Sequence, residues 1–143
     1  MIAKAFRCNG MGDILALIVD WTRIKLRLQV RQPKPVHYRE REIWWVHVGA
    51  NLGSEQNGKN AGFDRPVLIL RVFTADLFWG IPFTTRSHSG TYYYATSCAI
   101  GQKQQIAMLH QARVMSSRRL IKKQRTLPQD EFDELRNAVK NLI

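Results

Sequence analysis

The sequence is poor in the residues that build metal centres and crosslinks. Its two cysteines, Cys8 and Cys98, lie far apart and in no CxxC or Cys/His spacing, which argues against a zinc site or a disulfide framework and suits a reducing cytoplasm. The four histidines, His37, His47, His88 and His110, show no paired helical spacing, so no metal and no cofactor is expected. No apolar run reaches the roughly 20 residues of a membrane span. The most apolar stretch, Ile14 to Val19, is bracketed by Asp13, Asp20, Arg23, Lys25 and Arg27, and no membrane partner is expected. Internal repeats and low-complexity tracts are absent. Acidic residues are scarce: 11 Asp and Glu face 22 Lys and Arg, a formal net charge of +11. Such a field attracts polyanions and puts nucleic acid first among partner classes, although charge alone fits a merely solvated basic surface equally well.

What is present fits one folded unit. A chain of 143 residues with 45% hydrophobic and 10% aromatic residues can bury one core. The first segment, 1–12, carries no pattern. Residues 13–40 comprise an amphipathic helix and a proline-containing linker. Over residues 13 to 30, Ile14, Leu17, Ile18, Trp21, Ile24 or Lys25, and Leu28 recur at three- and four-residue intervals with Asp20, Arg23 and Arg27 on the other side, the pattern of a helix that docks on its own domain or turns a basic face to RNA. Gln32-Pro33-Lys34-Pro35 ends it.

From Arg41 to the C-terminus the period changes. Ile43–Val48, Val67–Phe73, Leu77–Thr84, Thr91–Thr96 and Gln105–Leu109 read as short strands separated by Gly, Asn, Asp and Ser; this predicts a mainly β, α+β fold built on a small antiparallel barrel. Ser116 is placed to cap a short helix reaching about Gln124, and Pro128 sits near the first turn of a last helix whose buried stripe is Phe132, Leu135, Val139 and Leu142.

Several motifs lie in order along this region. Arg41-Glu42-Ile43-Trp44-Trp45-Val46 is followed by Gly53-Ser54-Glu55-Gln56 and then by Arg65-Pro66-Val67-Leu68-Ile69. Gly80-Ile81-Pro82-Phe83-Thr84-Thr85 comes next, and Leu109-His110-Gln111-Ala112-Arg113 with Arg119-Leu120 closes the series. Together they resemble the MazF/PemK toxins over residues 41–143. The resemblance implies an SH3-like barrel with an N-terminal helix and C-terminal helices, and a homodimer. It also implies metal-independent cleavage of single-stranded RNA at short sequences, a cognate antitoxin protein as inhibitor, and DNA binding together with that antitoxin.

Metal-free RNA cleavage commonly uses the ribose 2′-oxygen as nucleophile. The site must then take a proton, stabilise growing charge on phosphate oxygens and help the 5′-oxygen leave. Arg65 matches the family's catalytic arginine, and a planar guanidinium can donate two parallel hydrogen bonds to phosphate; alone, it would read as a strand-start arginine paired with Asp64. Thr84 matches the active-site threonine and can position a phosphate oxygen. Some family members use an arginine and an aspartate as acid and base where this chain has Met108 and His110. Met108 cannot move protons, whereas an imidazole can serve in either role. Glu55 is the other candidate base, or else it orients Arg65 or caps backbone amides. Ser54, Gln56, Lys59, Thr85, Arg86, His88, Gln111 and Arg113 are candidate RNA contacts. Phe63, Trp79 and Tyr92 to Tyr94 are the aromatics available for base stacking, most of them expected in the core. The Arg118 to Arg125 run reads as a solvated helix face. The alternative to a nuclease is a non-catalytic nucleic-acid-binding barrel; a module for an acidic protein partner is a third class.

Overall fold

The computed structural model describes residues 10–32 and 34–143; Cys8, Pro33 and most of the unassigned 1–12 segment lie outside them. Helix α1 (Met11–Val30) precedes seven strands, β1 (Glu42–His47), β2 (Asp64–Val72), β3 (Leu77–Thr84), β4 (Tyr93–Ile100), β5 (Lys103–Met108), β6 (Arg113–Ser116) and β7 (Leu120–Thr126), and helix α2 (Gln129–Lys140) ends the chain. The strands form one antiparallel sheet in the order β4-β5-β3-β2-β1-β7, with β6 pairing β3 further along that strand. The sheet curls into a half-barrel whose edges are β4 and β7. This is the α+β architecture that the motifs imply.

Strand β2 is the keystone of the packing. Successive side chains on a strand point to opposite faces, and both faces of β2 are covered. Leu68 and Leu70 join Ile43, Ile81, Phe83, Phe132, Leu135 and Val139 in one cluster. Val67 and Ile69 join Val46, Val48, Phe78, Met115 and Leu120 in the other. Helix α2 closes the first cluster with the predicted Phe132, Leu135 and Val139, while Leu142 packs at its margin. Asp130 and Glu131 lie in its first turn and Lys140 in its last, which suits the helix dipole.

The segment after Ser116 differs from the helix expected there. A single 3-10 turn, Ser117–Arg119, follows Ser116, whose hydroxyl accepts from Arg118 N at 3.2 Å as a cap would. Leu120–Thr126 then runs as an edge strand beside β1. Lys, Gln and Arg favour helix locally, but pairing with β1 and burial of Leu120 outweigh that preference. Lys122, Lys123 and Arg125 keep the open edge charged, and Lys123 pairs with Glu42 at 2.9 Å. Strand β6 had no counterpart in the sequence reading.

Helix α1 docks through Trp21, which is buried, and through half-buried Leu17, Ile24 and Leu28. Ile14 and Ile18 belong instead to a second apolar stripe with Leu15, Val19 and Leu26, exposed to solvent. No helix among the described residues is long and apolar enough to cross a membrane.

Two measurements follow from this packing. Leu135 is wholly buried at the centre of α2, so Leu135→Ala is expected to lower unfolding free energy by about 2–5 kcal/mol, read by urea denaturation. At the β1/β2 pair His47↔Asp64, His47 Nδ1 lies 2.9 Å from Asp64 Oδ1 and 2.7 Å from the Gly62 carbonyl. Hydrogen bonding to Asp64, against partial desolvation, raises the His47 pKa above its ordinary 6.5. A raised folded-state value means that this stabilisation is complete below the unfolded pKa and is lost as pH rises through the folded one. The urea midpoint is therefore expected to fall as pH is raised above 6.5, and Asp64→Asn to flatten that dependence.

Candidate functional site

The site is a cleft of about 690 Å³ between the loop from Gly53 to Asn60, the end of β3 and the β5–β6 connection. Arg65 lies in its floor. Only 9% of this residue is exposed, and two backbone carbonyls hold it: Nε donates to Asn57 O, and Nη1 donates to Phe83 O at 3.1 Å. The second carbonyl is delivered by the β2/β3 register, in which Val67 faces Pro82. The first is delivered by the loop.

Among the described residues, no carboxylate pairs with this cation. Asp64, its neighbour in sequence, faces the other side of β2 and pairs with His47, which overturns the reading of Arg65 as a strand-start partner of Asp64. Desolvation, and then the nearby Arg86 charge, lower the Arg65 pKa to about 10, so the group stays cationic at neutrality. Lys59 feels the same field: desolvation first, then Arg65, Arg86 and Lys103, lower its pKa. Removing a cation from water without a counter-charge is costly. Three clustered cations in a cleft therefore form a site whose electrostatics favour an anion. Nη2 of Arg65 makes no hydrogen bond among the described residues and retains donors for such a ligand.

The loop is built to hold its shape. Asn57-Gly58 is a strong turn signal, and a Cβ on Gly58 would come within 1.7 Å of the Phe63 carbonyl oxygen, so only glycine fits. Asn51 Nδ2 donates to Gln56 O at 2.8 Å, and Asn51 N donates to Asn57 Oδ1. Gln111 staples the loop from across the cleft: its Oε1 accepts from Gln56 N at 3.0 Å and its Nε2 donates to Ser54 O at 3.1 Å. Glu55 lines the cleft but accepts from Leu52 N at 3.0 Å. Of the roles open to it, the observed contact is a backbone cap, and among the described residues it forms no ion pair with Arg65.

Thr84 is buried at the end of β3, beside the carbonyl that holds Arg65, and its hydroxyl accepts from Arg86 N at 3.2 Å. His110 is exposed on the cleft lip, on the short turn after β5. Its Nδ1 is 3.4 Å from Tyr92 O, and its ring lies 5.3 Å from Tyr92 and 5.2 Å from Tyr93. His88 stacks on Tyr93 at 4.5 Å with the planes 6° apart. Ser54, Glu55, Gln56, Lys59, Arg65, Thr84, Arg86, His88, His110 and Gln111 thus converge on one cleft. Thr85 and Arg113 lie outside its lining; Arg113 reaches the side-chain oxygen of Asn51 at 3.4 Å. Among the stacking candidates, Phe63 is buried but borders the cleft, Trp79 packs against the core cluster of Leu68, Ile81 and Phe83, Tyr94 donates to Glu134 at 2.6 Å, and Tyr93 lines the cleft.

Asn57, Phe83 and Leu17 were missed as site residues, and Met108, set aside as unable to move protons, lines the cleft. Asn57 and Phe83 act through backbone carbonyls, for which side-chain identity is no guide; the Asn57-Gly58 turn was the available clue. Among the described residues, no group of three or more His, Cys, Asp or Glu side chains is placed to hold a metal ion.

The chain is similar in fold to MazF from Deinococcus radiodurans, with 21% identity, a TM-score of 0.58, and 72% of this chain and 93% of that one covered. A MazE–MazF complex from the same organism aligns at 18% identity and a TM-score of 0.53, covering 72% and 91% of the two chains. An endoribonuclease in complex with its cognate antitoxin, from a mycobacterial species, aligns at 9% identity and a TM-score of 0.56, covering 73% and 93%. At these identities the likeness concerns fold alone. A search of curated proteins gave no match. Residues 39–143 match the family described as "PemK-like, MazF-like toxin of type II toxin-antitoxin system", and since that span is most of the chain, the protein belongs to the PemK/MazF-like toxin family.

Proposed function

We propose that this toxin is a sequence-selective endoribonuclease that cleaves single-stranded RNA by attack of the ribose 2′-hydroxyl, without a metal ion. The observation that carries the proposal is Arg65: a buried cation whose partners among the described residues are backbone carbonyls, flanked by Lys59 and Arg86 at the floor of an open cleft. Its free donors meet the non-bridging oxygens of the scissile phosphate, whose charge grows as the 2′-oxygen to phosphorus bond forms and the bond to the 5′-oxygen breaks. Thr84 positions that phosphate.

His110 takes the proton from the 2′-hydroxyl. With Nδ1–H donating to Tyr92 O, its Nε2 is left as a proton acceptor, whereas the Glu55 carboxylate is engaged with Leu52 N. The protonated imidazole or solvent returns a proton to the departing 5′-oxygen. Ser54, Gln56, Lys59, Arg86, His88 and Gln111 grip the strand along the cleft, with Thr85 and Arg113 as outer contacts. The proposal includes a cytoplasmic homodimer and an inhibitory cognate antitoxin, a partner named for two of the similar structures.

The test is cleavage of a long RNA by the purified protein. Products are expected to carry 2′,3′-cyclic phosphate and 5′-hydroxyl ends, one deoxyribose at a mapped scissile position should block cutting there, and excess EDTA should leave the rate nearly unchanged. Cutting at the deoxy site, or loss on EDTA with recovery in magnesium, would overturn the chemistry. RNA retention without cleavage would favour the non-catalytic binding barrel.

Replacing Arg65 is the sharper probe of the site itself. Arg65→Lys keeps the charge but loses the fork, and activity is expected to fall by about tenfold or more with little change in RNA affinity. Cleavage unaltered by both Arg65→Lys and Arg65→Ala would remove this residue from the mechanism.

A further inference from the structure

Helix α1 lies outside the family-matched residues 39–143, yet it touches the site twice. Leu17 lines the cleft. One turn further on, Trp21 is buried at the junction where the two ends of the 49–63 loop meet. There Phe63 O accepts from Val48 N at 2.9 Å and Gly49 N at 3.2 Å, and Gly49 O accepts from Gly58 N at 2.8 Å. The Trp21 ring packs on both ends of the junction. Its centroid is 5.7 Å from that of Phe63, and a Cβ on Gly49, whose φ is +99°, would fall 2.5 Å from the indole.

The following arginines hold the helix in place. Arg119 lies over the indole, with its guanidinium carbon 5.4 Å from the centroid, and donates to His47 O and Val48 O at 3.0 and 3.2 Å. Arg118 donates to Leu28 O, Gln29 O and Arg31 O, occupying carbonyls at the C-terminal end of α1.

We infer that α1 is a working part of the RNA site: Trp21 is a positioning residue that clamps the base of the 49–63 loop, and Leu17 is a wall of the groove. The inference rests on the ribonuclease reading for its kinetic consequences and on geometry alone for the clamp. The physical route is short. The loop supplies the Asn57 carbonyl that orients Arg65, and Trp21 is the one buried residue of a twenty-residue helix. Its packing is therefore concentrated on the junction that this loop depends on. A displacement of about 1 Å at a charge-stabilising group can reduce the rate by about a hundredfold, so a loosened loop is felt at the reaction step, whereas an altered wall is felt in binding.

The experiment uses the full chain with Trp21→Ala, Trp21→Phe and Leu17→Glu. Hydrogen exchange should accelerate about tenfold or more in residues 49–63 of Trp21→Ala while β2 and β3 keep their protection. On a short RNA carrying a mapped cleavage site, kcat should fall about tenfold to a hundredfold with a smaller change in KM, and Trp21→Phe should restore most of it. Leu17→Glu, which brings a carboxylate beside the phosphates, should raise KM with kcat little changed. Unchanged loop exchange and kcat in Trp21→Ala would overturn the clamp; an unchanged KM in Leu17→Glu would overturn the wall. If Trp21→Ala does not fold, Trp21→Leu keeps an apolar plug and is judged by the same loop exchange and kcat. Should the unaltered protein cleave no RNA, the ribonuclease reading fails, and exchange in the loop still decides the clamp.

Discussion

A guanidinium taken out of water keeps its charge only if something replaces the lost hydration, and at Arg65 that replacement is two peptide carbonyls, from Asn57 and Phe83. Carbonyl dipoles stabilise a cation without neutralising it. A carboxylate would have formed a closed pair and left little field for a ligand, and Asp64, the nearest acid in sequence, is instead engaged with His47. Much of the remaining architecture serves this arrangement. The pairing of β2 with β3 fixes Phe83 O relative to Arg65, and the 49–63 loop must present Asn57 O from the opposite side.

That loop lacks regular secondary structure, so its rigidity has to come from specific contacts. A bridge between Lys59 and Asp64 closes its second half, Gly58 permits an approach to the Phe63 carbonyl that any side chain would block, and Gln111 ties Ser54 and Gln56 to the far wall. Each device acts on a different part of the loop, and Trp21 packs where the two ends converge. Coupling between α1 and the cleft follows from this placement without any long-range pathway, because helix, loop and guanidinium are in direct sequence of contact.

The sequence made the central sheet legible because its strands carry Trp, Val, Ile and Phe in runs broken by turn formers; β1 to β5 are all found within a few residues of where that pattern puts them. It misled where local preference and tertiary pairing disagree. Leu120–Thr126 has the composition of a solvated helix but completes the sheet against β1, and β6 is four residues long, too short to show a period. Arg118 and Arg119, read within a solvated basic run, turn inward to hold α1. The site residues that convergent motifs picked out by side chain do gather in one cleft, apart from Thr85 and Arg113. The carbonyl partners of Arg65 were not legible, since a backbone oxygen leaves no signature in residue identity.

The two groups assigned to the reaction differ in depth, and the difference suits their tasks. Charge stabilisation gains from burial: a low local dielectric strengthens the field of Arg65 at a bound phosphate, and a side chain held by two carbonyls needs little reorganisation as charge develops. Proton transfer has the opposite requirement, because the base must shed its proton between turnovers and so has to exchange with solvent. His110 is exposed, with one ring nitrogen directed at Tyr92 O. Even lowered to about 10, the Arg65 pKa leaves the guanidinium protonated near neutrality, a poor proton carrier but a constant charge. A site that fixes its cation in the floor and keeps its proposed proton acceptor on the solvent-exposed lip separates the two functions in space, and that separation is the strongest physical reason to divide the roles between Arg65 and His110 as proposed.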